Sequence, residues 1–426
     1  MNLKRVALAS ALCCAGLAQA QTGAGVTLYG MADVGITSVS GLKAGTVTQV
    51  ASGIMEGSRW GIKGNEDLGA GYKAIFTLES RVELDTGSNK NNPISGTQLS
   101  DRFSLTSLLF PTLTPATQTA LQPTATLVGA KLADEFGVNV GAYGNRAFDR
   151  QAYVGLITPV GAVLAGRMYT PGFEMNAMFD VMETQSGLAA GQIVAFPAVL
   201  EIRKSNSIQY RIAKDGYAGS LMYSKGDSGE EANNSSGMVG FSASAKFGNF
   251  AVGIAHNAAK NELGQDSLET TVLGASMNFG EDKLTGMVLN IKDDNPANMT
   301  KIGTAILGLG GTAAQAALFQ GAFTNAFKQD GNLVHVGYRH VTGPHTMSVA
   351  YTTYDDKRPA NADVSSYGVA YTYSLSKRTD LNAVLVQYDN KNLAQVAPGG
   401  NGYIGGVTAS AGTDSTSFAF GIRHRF

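Results

Sequence analysis

Residues 414–426 read "DSTSFAFGIRHRF". Phe418, Phe420, Ile422, His424 and Phe426 fall on one parity, and Ser417, Ala419, Gly421, Arg423 and Arg425 on the other. Successive side chains of a strand point to opposite faces, so this alternation predicts a strand with one dry and one wet side. A chain end frays into water unless something ties it down. A large apolar ring at Phe426 therefore predicts that the dry face meets a protein core or a medium that is not water.

The same alternation recurs throughout the chain. In "YKAIFTLESRVEL" (72–84) the apolar Tyr72, Ala74, Phe76, Leu78, Val82 and Leu84 share one parity, and Lys73, Glu79, Arg81 and Glu83 the other. "NSIQYRI" (206–212), "NLVHVGYRH" (332–340) and "SSYGVAYTYSL" (365–375) behave alike. Short turns at 66–71, 158–161, 213–216, 247–249, 280–282, 342–344 and 376–379 alternate with longer loops. The loops fall near 38–57, 85–148, 169–203, 225–235, 258–267, 292–330, 355–364 and 389–413. Seven turns and eight loops separate 16 strands. This rhythm predicts an all-β fold, a transmembrane 16-stranded antiparallel β-barrel with short periplasmic turns and long extracellular loops. An open sheet edge cannot satisfy its backbone in lipid, so the sheet must close. A soluble sandwich would also alternate, but its strands average nearer 5–6 residues and its dry faces must meet each other.

Composition agrees. Charged residues are 15% of the chain, against about 25% in soluble domains, and Gly reaches 53 of 426 residues. Mean hydropathy is −0.02, too low for a bundle of apolar helices. The start, "MNLKRVALASALCCAGLAQA", has Lys4 and Arg5, an apolar run and Ala18-Gln19-Ala20, the pattern of a signal peptide spanning 1–20. The run is short for a retained span, and "SALCC" lacks the small residue that precedes a lipidated cysteine. Residues 21–426 then form a single barrel domain without cysteine, which excludes a disulfide framework or thiolate metal site. Removing Lys4 and Arg5 from 32 basic residues leaves 30 against 33 acidic, a formal −3, which gives no sign of a nucleic-acid partner. Two apolar stretches, 187–200 and the charge-free run between Lys301 and Lys328, read as loops because Pro197 and clustered Gly interrupt them. The second has room for a short helix.

At "GSRWGIKGNEDLGAGYKAIFTLES" (57–80) the sequence resembles the Gram-negative general porins, and the likeness continues at "VTLYGMADVGI" (26–36), "DRQAYVGL" (149–156), "GAVLAGRMYTP" (161–171), "RKSNSIQY" (203–210) and the terminal strand. It covers essentially the whole mature chain. The resemblance implies a homotrimer of outer-membrane barrels in contact with lipid and lipopolysaccharide, each with a water-filled channel for small hydrophilic solutes and ions. It implies that the third long loop, 169–203, folds inside and narrows the pore. It also makes Phe426 a mark read by the barrel-assembly machinery. The second loop (85–148) and the sixth (292–330) exceed the family's usual length, so either lengthens subunit contacts or covers the mouth.

Sixteen strands leave an aqueous lumen, and selectivity then rests on charges at the narrowest point. Parity assigns Arg59, Arg81, Arg167 and Arg203 to the lumen wall; for Arg150 the inward aim follows from resemblance alone. Glu174, Asp180, Glu183 and Glu201 are the opposing acids of the third loop, and the two sets would place a transverse field across the opening. A charge facing lipid instead would cost about 2–4 kcal/mol at the midplane. The five His are scattered, no catalytic Ser–His–carboxylate set stands out, and no cofactor is expected. A passive channel is the leading reading. A barrel enzyme, or an adhesin or receptor built on the long loops, are the rivals.

Overall fold

The alternating segments form one antiparallel sheet in the computed structural model, which describes residues 25–89, 94–96, 98–135, 146–184, 186–194, 202–225, 237–399 and 406–426. The leader predicted at 1–20 lies outside the described residues. The strands are β1 (Gly25–Leu42), β2 (Gly45–Ser52), β3 (Arg59–Gly69), β4 (Tyr72–Arg81), β5 (Gln151–Thr158), β6 (Gly161–Tyr169), β7 (Arg203–Lys214), β8 (Tyr217–Ser224) and β9 (Met238–Phe247). They continue as β10 (Phe250–Lys260), β11 (Asp266–Phe279), β12 (Asp282–Asp293), β13 (Gln329–Thr342), β14 (His345–Asp356), β15 (Val364–Ser374), β16 (Thr379–Asn390) and β17 (Ser415–Arg425). One edge of β1 pairs with β17 from Met31–Arg425 to Val39–Ser417, which closes the sheet. Its other edge pairs with β2 in the upper half and β3 in the lower. The two are one wall position interrupted at 53–58, so the barrel has 16 strands.

That interruption needs polar partners, because buried backbone groups are rarely left unpaired. Asp33 supplies them: its carboxylate accepts the N–H groups of Ile54 (3.0 Å), Met55 (2.9 Å) and Glu56 (2.8 Å). The expected first loop at 38–57 is therefore largely strand. Both faces of "TVTQVAS" (46–52) mix polar and apolar residues, so alternation gave no signal there. All seven short turns stand where the sequence placed them.

Apolar side chains such as Val154, Leu221 and Phe418 lie exposed on the outer wall, while Gln209, Thr352 and Asn382 are buried inside. Tyr217, Phe247, Phe250, Phe279, Tyr338 and Tyr371 are exposed near the short turns, an aromatic girdle at one membrane interface. At the opposite end the second loop carries α1 (Asp101–Ser104), α2 (Thr106–Leu109) and α3 (Pro115–Glu135). The third carries α4 (Pro171–Phe179), and the sixth carries α5 (Thr300–Gly308) and α6 (Ala313–Phe327). The single short helix expected in the sixth loop is thus two. Thr312 and Gln315 start α6 with a reciprocal capping box. Among the described residues no helix is long and apolar enough to cross a membrane.

The third loop turns inward and docks by burial. Phe179, Val181, Leu188 and Ile193 share a core with Val272, Leu289, Leu333 and Val386 of the inner wall. Phe179 lies directly on Gly274, where a β-carbon would stand 2.7 Å from the β-carbon of Phe179. Burying each such side chain stabilises the docked loop by about 1.5–3 kcal/mol. The loop occupies the side formed by β8 to β16, which shifts open space toward the wall formed by β17, β1 and β3 to β7.

Candidate channel constriction

On that wall, polar contacts link five arginines and three carboxylates. Arg425 and Arg423 hold Asp380 at 2.7 and 2.9 Å, and Arg423 reaches Glu56 at 3.3 Å. Arg59 bridges Glu56 and Glu79, at 3.7 Å from each. Arg150 Nε donates to Glu79 at 2.7 Å, and its Nη2 donates to the Tyr169 hydroxyl at 3.0 Å. Arg203 donates to the same hydroxyl at 2.9 Å and lies over the Tyr169 ring at 4.5 Å. Tyr169 in turn stacks on Phe173 at the start of the third loop, 5.0 Å between centroids. The ladder runs around the wall from β16 to β7, with five positive charges against three negative.

The loop side is arranged differently, because each described acid has its own partner. Glu174 meets Arg211 at 2.6 Å, and Glu183 meets Arg339 at 3.1 Å. Burial pushes the Glu174 carboxyl up against the pull of Arg211. Lys283 Nζ donates to the Met178 carbonyl at 3.1 Å, and Arg339 also donates to the Val181 carbonyl. Asp180 is fully buried, and its carboxylate accepts the N–H groups of Met182 (2.9 Å), Thr184 (3.1 Å) and Ala190 (3.0 Å). His335 Nε2 accepts from Val181 N–H at 3.2 Å, which leaves the ring proton on Nδ1, 2.8 Å from Thr352 Oγ1.

A closed 16-stranded barrel with an in-folded loop and a charged wall is matched by a family model for Gram-negative porins over residues 6–393. The chain belongs to the Gram-negative porin family. It is an outer-membrane channel for passive diffusion of small hydrophilic solutes. Outer membrane porin protein 32 of Delftia acidovorans is 28% identical over 435 residues, covering 100% of both chains. An outer membrane porin protein of Bordetella pertussis is 39% identical over 103 residues, and that match spans 26% of its length. Among solved structures, the anion-selective porin from Comamonas acidovorans has a TM-score of 0.63 at 22% identity, covering 95% of this chain and 100% of that one. OmpF of Salmonella typhi has a TM-score of 0.56 at 14% identity, covering 95% and 98%.

Several sequence expectations for this porin change in the structure. Arg59 and Arg203 stand half-buried on the ladder, and Arg150, just before β5, joins them through Glu79. Arg81 is on the same face but buried, held by Glu83 at 3.2 Å and by Asp149 at 3.9 Å. Arg167 is corrected. Leu164 and Met168 are the inward residues of β6, packed against Met222 and Met238, so the opposite parity is the outer one. Arg167 shares it with Val163 and Ala165, pairs in register with Ala152, and donates to the Asp149 carbonyl (2.7 Å) and Ser205 Oγ (2.9 Å). An apolar row ordinarily marks the lipid face of a barrel strand, whereas on β6 that row supports the inner wall. Asp180 is corrected too: it braces the loop and does not front the opening. Glu174 and Glu183 keep some exposure, and Glu201 lies outside the described residues.

Glu56, Glu79, Tyr169, Arg423 and Arg425 join the constriction without being expected there from the sequence. Glu79 had a signal, since it shares parity with Arg81 in β4. Glu56 had none, because it sits in the strand interruption that alternation could not reveal.

Proposed function

We propose that this porin favours small hydrophilic anions and works as a homotrimer of passive channels rather than as an enzyme. The ladder of five arginines against three carboxylates carries the anion preference. Its surplus lies along the open wall, while Glu174, Glu183 and Asp180 of the loop are individually matched by Arg211, Arg339 and backbone N–H groups. Like charge focused in a cleft raises the local concentration of counter-ions, and about 4 kcal/mol acts between unit charges 4 Å apart at an effective dielectric of 20. Such a field attracts anions without trapping them in a wet pore. The anion-selective Comamonas porin, alike in fold, supports the sign. Trimeric porins among the structural neighbours support the assembly. The Phe426 ring, half exposed at the end of β17, suits recognition by the barrel-assembly machinery, and the outer wall suits lipid and lipopolysaccharide.

The test is a reversal potential in a KCl gradient across planar bilayers. The native channel should favour chloride. Replacing Arg59, Arg203 and Arg423 together by Gln should move the potential toward cation preference. An unchanged potential in that variant would overturn the assignment.

A further inference from the structure

The second loop joins β4 to β5 and the sixth joins β12 to β13. In a ring of 16 positions these connections are eight apart, on opposite sides of the mouth. Their helices nevertheless share one apolar core. Phe103, Phe110 and Val128 of the second loop pack with Ile302, Phe319 and Phe327 of the sixth. Phe103 stacks on Phe327 at 4.3 Å between centroids, and Phe110 meets Phe319 edge-on at 5.0 Å. Two elements rooted on opposite rims can touch only by crossing the opening.

Neighbouring loops brace the crossing. Asp101 N–H donates to Gln395 Oε1 at 2.7 Å, and Asp101 Oδ2 accepts from Ala411 N–H at 3.1 Å, which ties the second loop to the eighth. Gln98 adds a bond to the Thr408 carbonyl at 3.1 Å. From the fifth loop, Glu262 accepts from the N–H groups of Asn298 and Thr300 and from the Thr300 hydroxyl. Arg358 of the seventh donates to the Lys328 carbonyl at the foot of α6.

The packed centre of the roof is uncharged, with Asp101, Arg102 and Lys301 at its borders and Lys131, Asp134 and Glu135 at the end of α3. No Asp, Glu, Lys, Arg or His occurs from Phe103 to Ala130 or from Ile302 to Phe327. We infer that this helical roof is a size filter in series with the inner constriction, blind to the sign of charge. Solutes from outside pass beneath its edges, so bulky ones are turned away before they reach the arginine ladder. The inference rests on the channel activity of the family and is independent of the anion preference proposed above.

Two variants of the full-length protein test it, each reconstituted into liposomes and planar bilayers. One replaces 298–326 by a short Gly–Ser connection. The other, Phe319→Asp with Phe323→Asp, puts charge into the roof core and leaves the barrel sequence untouched. Swelling rates with neutral sugars of increasing size should show a severalfold gain for tri- and tetrasaccharides in both variants, with little change for a monosaccharide. The chloride-to-potassium permeability ratio should stay as in the native channel. An unchanged size limit in an assembled variant would overturn the filter, and so would a gain equal for all sugars. A shift in ion preference in the loop replacement would show that the roof acts through charge and would overturn its blindness to sign.

Discussion

Replacing Asp180 by Ala separates a structural carboxylate from a selective one. In the native loop it holds three buried N–H groups, and beside it Glu183, Thr184 and Ser186 have φ of 56°, 65° and 69°. That left-handed region is unfavourable for residues with a β-carbon, by roughly 1–2 kcal/mol each, so the tip depends on those bonds. Orphaning a buried donor costs about 1–3 kcal/mol, and three give about 3 kcal/mol even at the low end, where entering water supplies part of the loss. About 3 kcal/mol is roughly two factors of ten in the ratio of ordered to loosened tip. The apolar anchors Phe179, Leu188 and Ile193 remain, so the loop stays inside and the barrel assembles. Single-channel recording should show excess open-channel noise and brief conductance steps in Asp180→Ala, with a weaker effect in Asp180→Asn, which keeps one acceptor. If both variants were as quiet as the native channel and shifted the reversal potential equally, Asp180 would be a pore charge and this reasoning would be refuted.

Three further outcomes follow from particular contacts. Arg167→Gln should leave the reversal potential unchanged while Arg59→Gln moves it, because only Arg59 lies on the ladder; an equal shift in both would return Arg167 to the lumen. Gly30→Val should lower the yield of folded barrel in detergent refolding followed by gel mobility, since a β-carbon there would run into the Phe426 ring, 2.7 Å from its Cε2, and lie 2.8 Å from the Arg59 carbonyl; overpacking of this kind costs about 1–3 kcal/mol, and native yield would show that the seam relaxes freely. Burial raises the Glu262 carboxyl, but bonds from Asn298, Thr300 N–H and the Thr300 hydroxyl outweigh it and hold it below the usual carboxylate range. Its contribution is therefore complete above the unfolded value of about 4.3 and is lost as pH falls through the lower folded value. Protease protection of the sixth loop should stay flat from about pH 7 to pH 5 and fall only in stronger acid, whereas loss between 7 and 5 would exclude Glu262 as the tether.

Strand positions and short turns were legible because a wall between lipid and water imposes polarity on alternate residues. Where a wall residue meets protein on its inner side, that rule lapses. Leu164 and Met168 are apolar and inward, and reading them as lipid-facing reversed the aim of Arg167. The in-folded third loop likewise covers Val272, Leu289 and Leu333, apolar residues on the inner row of the wall. Charge identity was legible, but pairing was not. Asp180 and Glu183 look alike in "FDVMETQ" (179–185), yet one is sealed under backbone donors and the other reaches Arg339. The contact between Phe103 and Phe327 lay beyond any local pattern, since it depends on where two rims stand in the closed ring.

Fixing the third loop by apolar burial also explains how the wall keeps a positive surplus. A loop held mainly by ion pairs to the arginines would consume the charge it faces, and salt would loosen it. Here Phe179, Val181, Leu188 and Ile193 dock on the far side, and Glu174 and Glu183 are matched by Arg211 and Arg339. On the anion preference proposed above, Arg59 and Arg203 stay unclaimed by the loop, and Tyr169 bridges Arg150 and Arg203 without adding negative charge. On this logic, strengthening the loop's apolar contacts should leave selectivity intact, while adding an acid at its inner edge should reduce it.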